Sequence, residues 1–277
     1  MLMNGKTFLV SGLLNKYSIA THVANQITLA GGKVILQIQN GLDQKKLSRV
    51  EAGVKDFPEG SILGRVECDA SSPESILNAI QAAKKIVSQV DGLVHSIGAC
   101  NTERLVKNGI LLTTLEDFTG ALNVSAYSYI SMVQAAVKED FLGPQASCLA
   151  LSYLGGDKVV PHYDLMGVAK AALEASNRYL AAALGERGIR CNILSPGPLK
   201  TAAGKGISDF EKIGWHVDGN CFLPNRPGQE EAAKAALFLL SDLSKGITAE
   251  VMYCDGGYRQ NGMHFNHHRN SSQDAEQ

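Results

Sequence analysis

The chain has 277 residues, 45% of them hydrophobic and 19% charged, with 28 glycines and a net charge of −1. That is enough chain for one α/β domain with a large core, and the near-neutral balance excludes the basic footprint of a partner for nucleic acid or an anionic membrane. No apolar run reaches the roughly 18 residues a membrane span needs, the first residues are no signal peptide, and six scattered cysteines without a C-x-x-C pair read as reduced thiols, so a cytoplasmic location is expected.

Taken in order, Lys6 to Ser11 reads as a first apolar strand, followed by Gly12, a loop, and a helix opened by Ser18-Ile19-Ala20 and closed at Gly31-Gly32. Val34 to Gln39 is a second strand and Leu42 to Lys55 a more polar helix. Ile62 to Cys68 is a third strand, and Ser71-Ser72-Pro73-Glu74 carries the capping hydroxyl, early proline and early acid of a helix start. A fourth strand is expected over Leu93 to Ile97, a long helix over Leu115 to Glu139, and a fifth strand over Leu149 to Ser152. The run Tyr163 to Leu184 reads as a helix, Ile189 to Leu194 as a strand, Glu230 to Leu240 as a late helix and Glu250 to Cys254 as a seventh strand. Strands that are apolar almost throughout, alternating with helices, mean a mostly parallel sheet of seven strands covered on both faces. The fold class is therefore a doubly wound, Rossmann-type α/β domain spanning residues 1–264, with residues 265–277 a polar, unstructured tail. His264, His267 and His268 fall at that end, and no metal site is expected.

In such a sheet a ligand sits beyond the carboxyl ends of the strands. Gly12 ends the first strand, and Ser18 and Ile19 stand where a helix N-terminus would offer N–H groups and a hydroxyl to a pyrophosphate. The usual G-x-G-x-x-G is missing, so this loop alone is equally an ordinary βα turn. Gln39 ends the second strand. It can bond to a ribose hydroxyl but cannot neutralise a phosphate, which favours NADH over NADPH. Asp69, followed by Ala70, is placed to accept from an adenine amino group or to cap a helix. Ser96, Ile97 and Gly98 end the fourth strand with little bulk, so a cofactor could approach the backbone. Ser195-Pro196-Gly197-Pro198-Leu199-Lys200-Thr201 would lie against a nicotinamide amide, or be only a turn. A flap of about residues 199–227 follows, with Ala202 to His216 its mobile centre and Phe210 and Ile213 at helical spacing.

The chemistry is expected around Tyr153, Tyr163 and Lys170. A separation of seven residues turns a helix through roughly 700°, so Tyr163 and Lys170 would look into one space about 20° apart. Tyr153 would face that space from the end of the fifth strand. Two phenols and an ammonium suit charge developing on a carbonyl oxygen, and a nearby cation would make a phenol easier to deprotonate. The plainer alternative is a packing tyrosine and a solvated lysine.

Together these residues resemble one family. Gly12 with Ser18-Ile19-Ala20, His95-Ser96-Ile97-Gly98, Ser125-Ala126-Tyr127-Ser128, Ser152-Tyr153-Leu154-Gly155, Tyr163 with Lys170, Gly197-Pro198-Leu199-Lys200-Thr201 and Asp255-Gly256-Gly257 are similar to the NADH-dependent enoyl-[acyl-carrier-protein] reductases, a branch of the short-chain dehydrogenases/reductases. The spacing discriminates: most short-chain dehydrogenases place tyrosine four residues before the lysine, where this chain has Met166. The resemblance implies hydride transfer from NADH to a trans-2-enoyl thioester. Tyr163 would donate to the enolate oxygen, Lys170 would hold the nicotinamide ribose, and Tyr153 would line the acyl pocket. It further implies cofactor contacts from Gly12, Ser18, Ile19, Gln39, Asp69, Ala70, Ser96, Ile97, Gly98, Lys170, Leu199, Lys200, Thr201, Ala202 and Ala203. Cys100, Met166 and Phe210 would border the acyl chain. Implied partners are an acyl carrier protein or coenzyme A thioester and three further copies in a homotetramer. The chain departs from the family in Ala99-Cys100-Asn101-Thr102, where an aromatic and Ala-Pro are usual, and in Ser208-Asp209-Phe210-Glu211-Lys212, where several bases are usual and Lys205 is a possible substitute. These departures keep two alternatives open: a reductase of another unsaturated or carbonyl substrate, and a dinucleotide-binding scaffold with little turnover.

Overall fold

A computed structural model describes residues 1–100, 109–201 and 210–263, with the Phe210 side chain outside the description. Seven strands form one parallel sheet: β1 (Thr7–Ser11), β2 (Lys33–Gln39), β3 (Ile62–Cys68), β4 (Val90–His95), β5 (Leu142–Leu151), β6 (Arg190–Pro196) and β7 (Val251–Cys254). Their order across the sheet is β3-β2-β1-β4-β5-β6-β7, so the chain reverses its direction of travel between β1 and β4. The α-helices among the described residues are α1 (Ile19–Leu29), α2 (Gln44–Val54), α3 (Pro73–Lys84), α4 (Leu115–Leu122), α5 (Ser128–Lys138), α6 (Asp164–Leu184), α7 (Phe210–Asp218) and α8 (Gln229–Leu240).

The unbroken apolar strands are explained by a core on each face. Leu9, Leu93, Cys148 and Ile193 face one side, with Ile76 and Ile80 of α3, Tyr129 and Met132 of α5, and Leu173 of α6. Phe8, Val10, Leu149 and Leu194 face the other, with Val23 and Ile27 of α1 and Ala233 and Leu239 of α8. Each such aliphatic side chain contributes about 1.5–3 kcal/mol when fully buried. Local chemistry sets the helix ends. Ser72 accepts from the Ser75 N–H with Pro73 opening α3, Thr114 and Asp117 form a reciprocal capping box on α4, and Asp43 accepts from the Lys46 N–H at the start of α2. The buried Arg190 guanidinium donates to the carbonyls of Leu239 and Ser241 at the end of α8, where a helix carries negative partial charge.

Three expectations are adjusted. β4 runs from Val90 to His95, so Ser96, Ile97 and Gly98 lie past its end rather than closing it. β5 starts at Leu142, well before Leu149, and crosses Gly143-Pro144 by a bulge. Its register steps from Val90↔Leu142 to Gly92↔Ser147, with Gln145 at φ 63°. The long helix expected over Leu115 to Glu139 is broken into α4 and α5 by one wide π turn, Asn123–Tyr127. All six cysteines are free, as expected.

Candidate active site

The site lies at the carboxyl ends of the strands, and its floor is the close approach of the segments leaving β1 and β4. Gly12 has φ +97°, and a Cβ there would stand 2.1 Å from the Ser96 carbonyl oxygen. Only glycine fits both demands. The loop after Gly12 is drawn inward by Ser18, whose hydroxyl oxygen accepts from the Leu14 and Asn15 N–H groups at 3.1 and 3.2 Å. That bonding places the start of α1, with the amides a helix leaves unpaired, against the same crevice. Gln39 is exposed at the end of β2, opposite Cys68 at the end of β3. Asp69 and Ala70 follow Cys68. The Asp69 Oδ1 accepts from the Ser71 N–H and hydroxyl, which holds its carboxyl below the ordinary value. Its other oxygen, Oδ2, has no hydrogen-bond partner among the described residues.

On the far side of the crevice Tyr163 stands one residue before α6, not within it. It is flanked by His162 at φ 64° and Asp164 at φ 33°, left-handed backbone on both sides of one tyrosine. Its ring lies flat on a tight turn: a Cβ on Gly155 would come within 2.1 Å of the Tyr163 Cδ1. Tyr153 meets the ring edge-on, with centroids 4.9 Å apart and planes at 66°. The Tyr163 hydroxyl has no hydrogen-bond partner among the described residues. Burial, then the adjacent Tyr153, Cys100 and Glu174, push its pKa well above the usual phenol range. The Tyr153 phenol is pushed up to about 12, chiefly by burial and then by Tyr258.

Lys170 is buried, and its ammonium donates to the Leu151 carbonyl at 2.7 Å, on the end of β5. Burial lowers its pKa to about 8, against the raising influence of Glu174. Lysine and tyrosine both feel Glu174, but the cation is not among the influences on the phenol, and the easing of the phenol expected from the sequence does not occur. Burial dominates the phenol, and the ammonium is turned to a backbone carbonyl. At neutral pH Tyr163 is a protonated donor, Lys170 largely a cation.

Gly98 borders the lysine: a Cβ there would be 3.4 Å from Lys170 Nζ and 3.5 Å from Met166 Cε. Met166 and Cys100 both reach this wall, through Ser125 and through packing on Leu165. Leu199 is buried, while Lys200 is exposed and Thr201 half-buried at the end of the turn. Ala202 and Ala203, the Phe210 side chain and the flap centre to Asp209 lie outside the described residues, as do Asn101, Thr102 and Lys205. From Phe210 to Asp218 the flap is helical, and the α7 backbone is braced by Arg226, which donates to the Gly214 carbonyl. Tyr153 also opens onto a cavity of about 620 Å³ lined by Leu154, Val160, Ile213, Val217 and Tyr258.

Three contributors escaped the sequence reading. Ser125, on the π turn, donates to the Ala99 carbonyl and accepts from the Ala99 N–H, both at 3.1 Å, fixing the loop after Gly98. His95 is fully buried, its Nε2 2.7 Å from the Ser128 hydroxyl, and burial depresses its pKa to about 3. Glu174 lies one turn beyond Lys170 and accepts from the Ser152 hydroxyl at 2.5 Å. The serines stood in a quoted motif without a role. Glu174 gave no signal, because a glutamate on a helix reads as surface.

These features suit a dinucleotide. The crevice sits at the reversal of strand order, a helix N-terminus faces it, side-chain bulk is missing at Gly12 and Gly98, and the buried Ser195 Oγ at the end of β6 and His95 Nδ1 have no hydrogen-bond partners among the described residues. The fold and site define a Rossmann-type oxidoreductase with a nicotinamide cofactor. Residues 12–259 match the family model described as enoyl-(acyl carrier protein) reductase. The chain is 38% identical over 262 residues to enoyl-[acyl-carrier-protein] reductase [NADH] 1 of Rhizobium meliloti, covering 95% of this chain and 93% of that one. It is 36% identical to the NADH enzyme FabI of Escherichia coli, over 92% of this chain and 95% of that one. Among solved structures, the FabI–NADH complex from Alistipes finegoldii superimposes with a TM-score of 0.87 at 28% identity, covering 95% of this chain and 91% of that one. The Anaplasma phagocytophilum reductase in complex with NAD gives 0.85 at 34% identity, with 95% of each covered. The chain belongs to the enoyl-(acyl carrier protein) reductase family.

Proposed function

We propose that this protein reduces the double bond of a trans-2-enoyl thioester carried on acyl carrier protein, in fatty acid synthesis, with NADH as the reductant. NADH, when bound, supplies the hydride that goes to the β-carbon. The chain's own part is to hold the reactants and to answer the negative charge that then forms on the thioester oxygen. Tyr163 is suited to this because its buried phenol keeps its proton to high pH and its hydroxyl bonds to none of the described residues. A hydrogen bond to the enolate oxygen is stronger in the transition state than to the ground-state carbonyl, which is what lowers a barrier. Lys170 holds the nicotinamide ribose. Gly12, Ser18, Ile19, Gln39, Asp69, Ala70, Ser96, Ile97, Gly98, Leu199, Lys200, Thr201, Ala202 and Ala203 form the cofactor bed, and Tyr153, Cys100, Met166 and Phe210 border the acyl chain. The enzyme works as a homotetramer in the cytoplasm; among the described residues no helix is long and apolar enough to cross a membrane.

The observation that carries this reading is the buried, protonated Tyr163 stacked edge-on against Tyr153 after β5, with the buried Lys170 ammonium held at the end of that strand. Mixing the protein with NADH and a crotonyl thioester and following the absorbance of reduced cofactor tests it. Oxidation of NADH supports it; oxidation only with a ketone or another acceptor points to a different reductase, and binding without turnover to a scaffold. Tyr163→Phe should lower kcat about 10²–10³-fold, the effect of removing one such donor, with the NADH dissociation constant nearly unchanged. Equal loss of both would contradict the role given to Tyr163.

A further inference from the structure

Glu174 is a buried carboxylate that the reaction above leaves without a part. It lies four residues after Lys170 on α6, where i and i+4 side chains are neighbours about 5–6 Å apart at Cβ. Two bonds tie both residues to consecutive positions at the end of β5. The Lys170 ammonium donates to the Leu151 carbonyl, and the Ser152 hydroxyl donates to Glu174 Oε1. The 154–156 turn closes over the pair, since a Cβ on Gly156 would fall 2.9 Å from Glu174 Oε1. On its outer side Glu174 faces a polar cavity of about 300 Å³ shared with Asp157, Arg178, Glu250, Tyr253 and Arg259.

We propose that Glu174 is a positioning residue for Lys170: held by Ser152, it supplies the buried counter-charge that keeps the lysine an ammonium and so sets the pH above which the cofactor grip is lost. This rests on the reading of Lys170 as the residue that holds the nicotinamide ribose.

The groups around the lysine leave this task to Glu174. From β4, His95 stays neutral, its pKa depressed to about 3 by burial and then by Lys170 itself. From the loop after β4, burial pushes the Cys100 thiol up to about 11. From the segment after β5, Tyr153 and Tyr163 are both raised and uncharged near neutrality. Burial lowers the Lys170 pKa to about 8, and Glu174 opposes it. Burial also raises the Glu174 carboxyl, and Asp157 adds to that, while Ser152, Arg178 and Lys170 favour the ionised form. The sign follows: removing the negative charge lowers the Lys170 pKa further, so the lysine is neutral at a lower pH.

The test is Glu174→Gln, which keeps shape and an acceptor for Ser152 but not the charge, alongside Ser152→Ala, which keeps the charge but not the bond. Two readouts are needed: the Lys170 pKa in the cofactor-free protein, by NMR of its ε-methylene, and the pH dependence of the NADH dissociation constant. A nearby opposite charge moves a pKa by about 1–3 units. In Glu174→Gln the Lys170 titration should therefore fall by about one unit or more, and the pH at which NADH binding weakens should fall with it. Ser152→Ala should shift both by less. An unmoved Lys170 titration in a folded Glu174→Gln variant overturns the proposal. A titration that moves while NADH binding does not leaves Glu174 as the counter-charge, and overturns instead both its role in binding and the assignment of Lys170 to the ribose.

Discussion

Replacing Gly155 by alanine tests how the tyrosine is aimed. The new Cβ would lie 2.1 Å from Tyr163 Cδ1 and 2.6 Å from Cε1, where ordinary contact begins near 3.4 Å, so the ring must retreat by about 1.3 Å. It cannot slide past Tyr153, whose ring already stands edge-on at 4.9 Å. Overpacking of this kind costs about 1–3 kcal/mol of stability, and a displacement near 1 Å costs about 10²-fold in rate. We expect Gly155→Ala to fold with a lowered melting temperature, to bind NADH as the parent does, and to lose about 10²-fold in kcat with a crotonyl thioester. Adding Tyr163→Phe should cost much less than it does alone, because the donor is already misplaced. A folded Gly155→Ala variant with parental turnover would refute the idea that this backbone contact orients the phenol.

Further outcomes follow from the same geometry. Lys170→Met removes a charge whose burial has lowered its pKa to about 8. It also leaves the Leu151 carbonyl without its donor and the buried Glu174 without an opposite charge, so thermal melts should show lower stability and NADH titrations weaker binding; a variant that loses stability and keeps affinity would mean the lysine serves the fold alone. Gln39→Arg places a guanidinium at the end of β2, and the KM for NADPH should fall about tenfold relative to that for NADH. No change in that ratio would remove Gln39 from the cofactor bed. For His95, the folded pKa of about 3 lies below the unfolded value near 6.5. Its contribution is fully present above pH 6.5 and is lost as the pH falls from there toward 3, when the unfolded chain takes up the proton first. Urea titrations at pH 7 and pH 5 should therefore differ less in His95→Gln than in the parent.

Much of this architecture is legible in the order of residues, and the exceptions have physical causes. The strands declare themselves because both faces are buried, so Phe8, Leu9 and Val10 are all apolar and no alternation confuses them. The start of β5 stays hidden because Gly143-Pro144 carries the signature of a break, and only a bulge with a left-handed Gln145 lets the strand cross it. Asn123–Tyr127 reads as helix since a π turn uses the same residue types as the helices around it. At the site, Tyr153, Tyr163 and Lys170 stand out by type and spacing. Their protonation does not: it depends on burial and on which way an ammonium turns. Glu174 belongs to the same class, a charged residue whose meaning comes from the strand end above it.

His162 and Asp164 hold left-handed backbone on either side of Tyr163. A residue other than glycine sits there at a torsional expense of about 1–3 kcal/mol. The phenol is thus steered by a coiled stretch of main chain, like a lever under spring tension. Breeding this protein for heat resistance alone would favour glycine at those two places, and the hardier descendants would be slower catalysts.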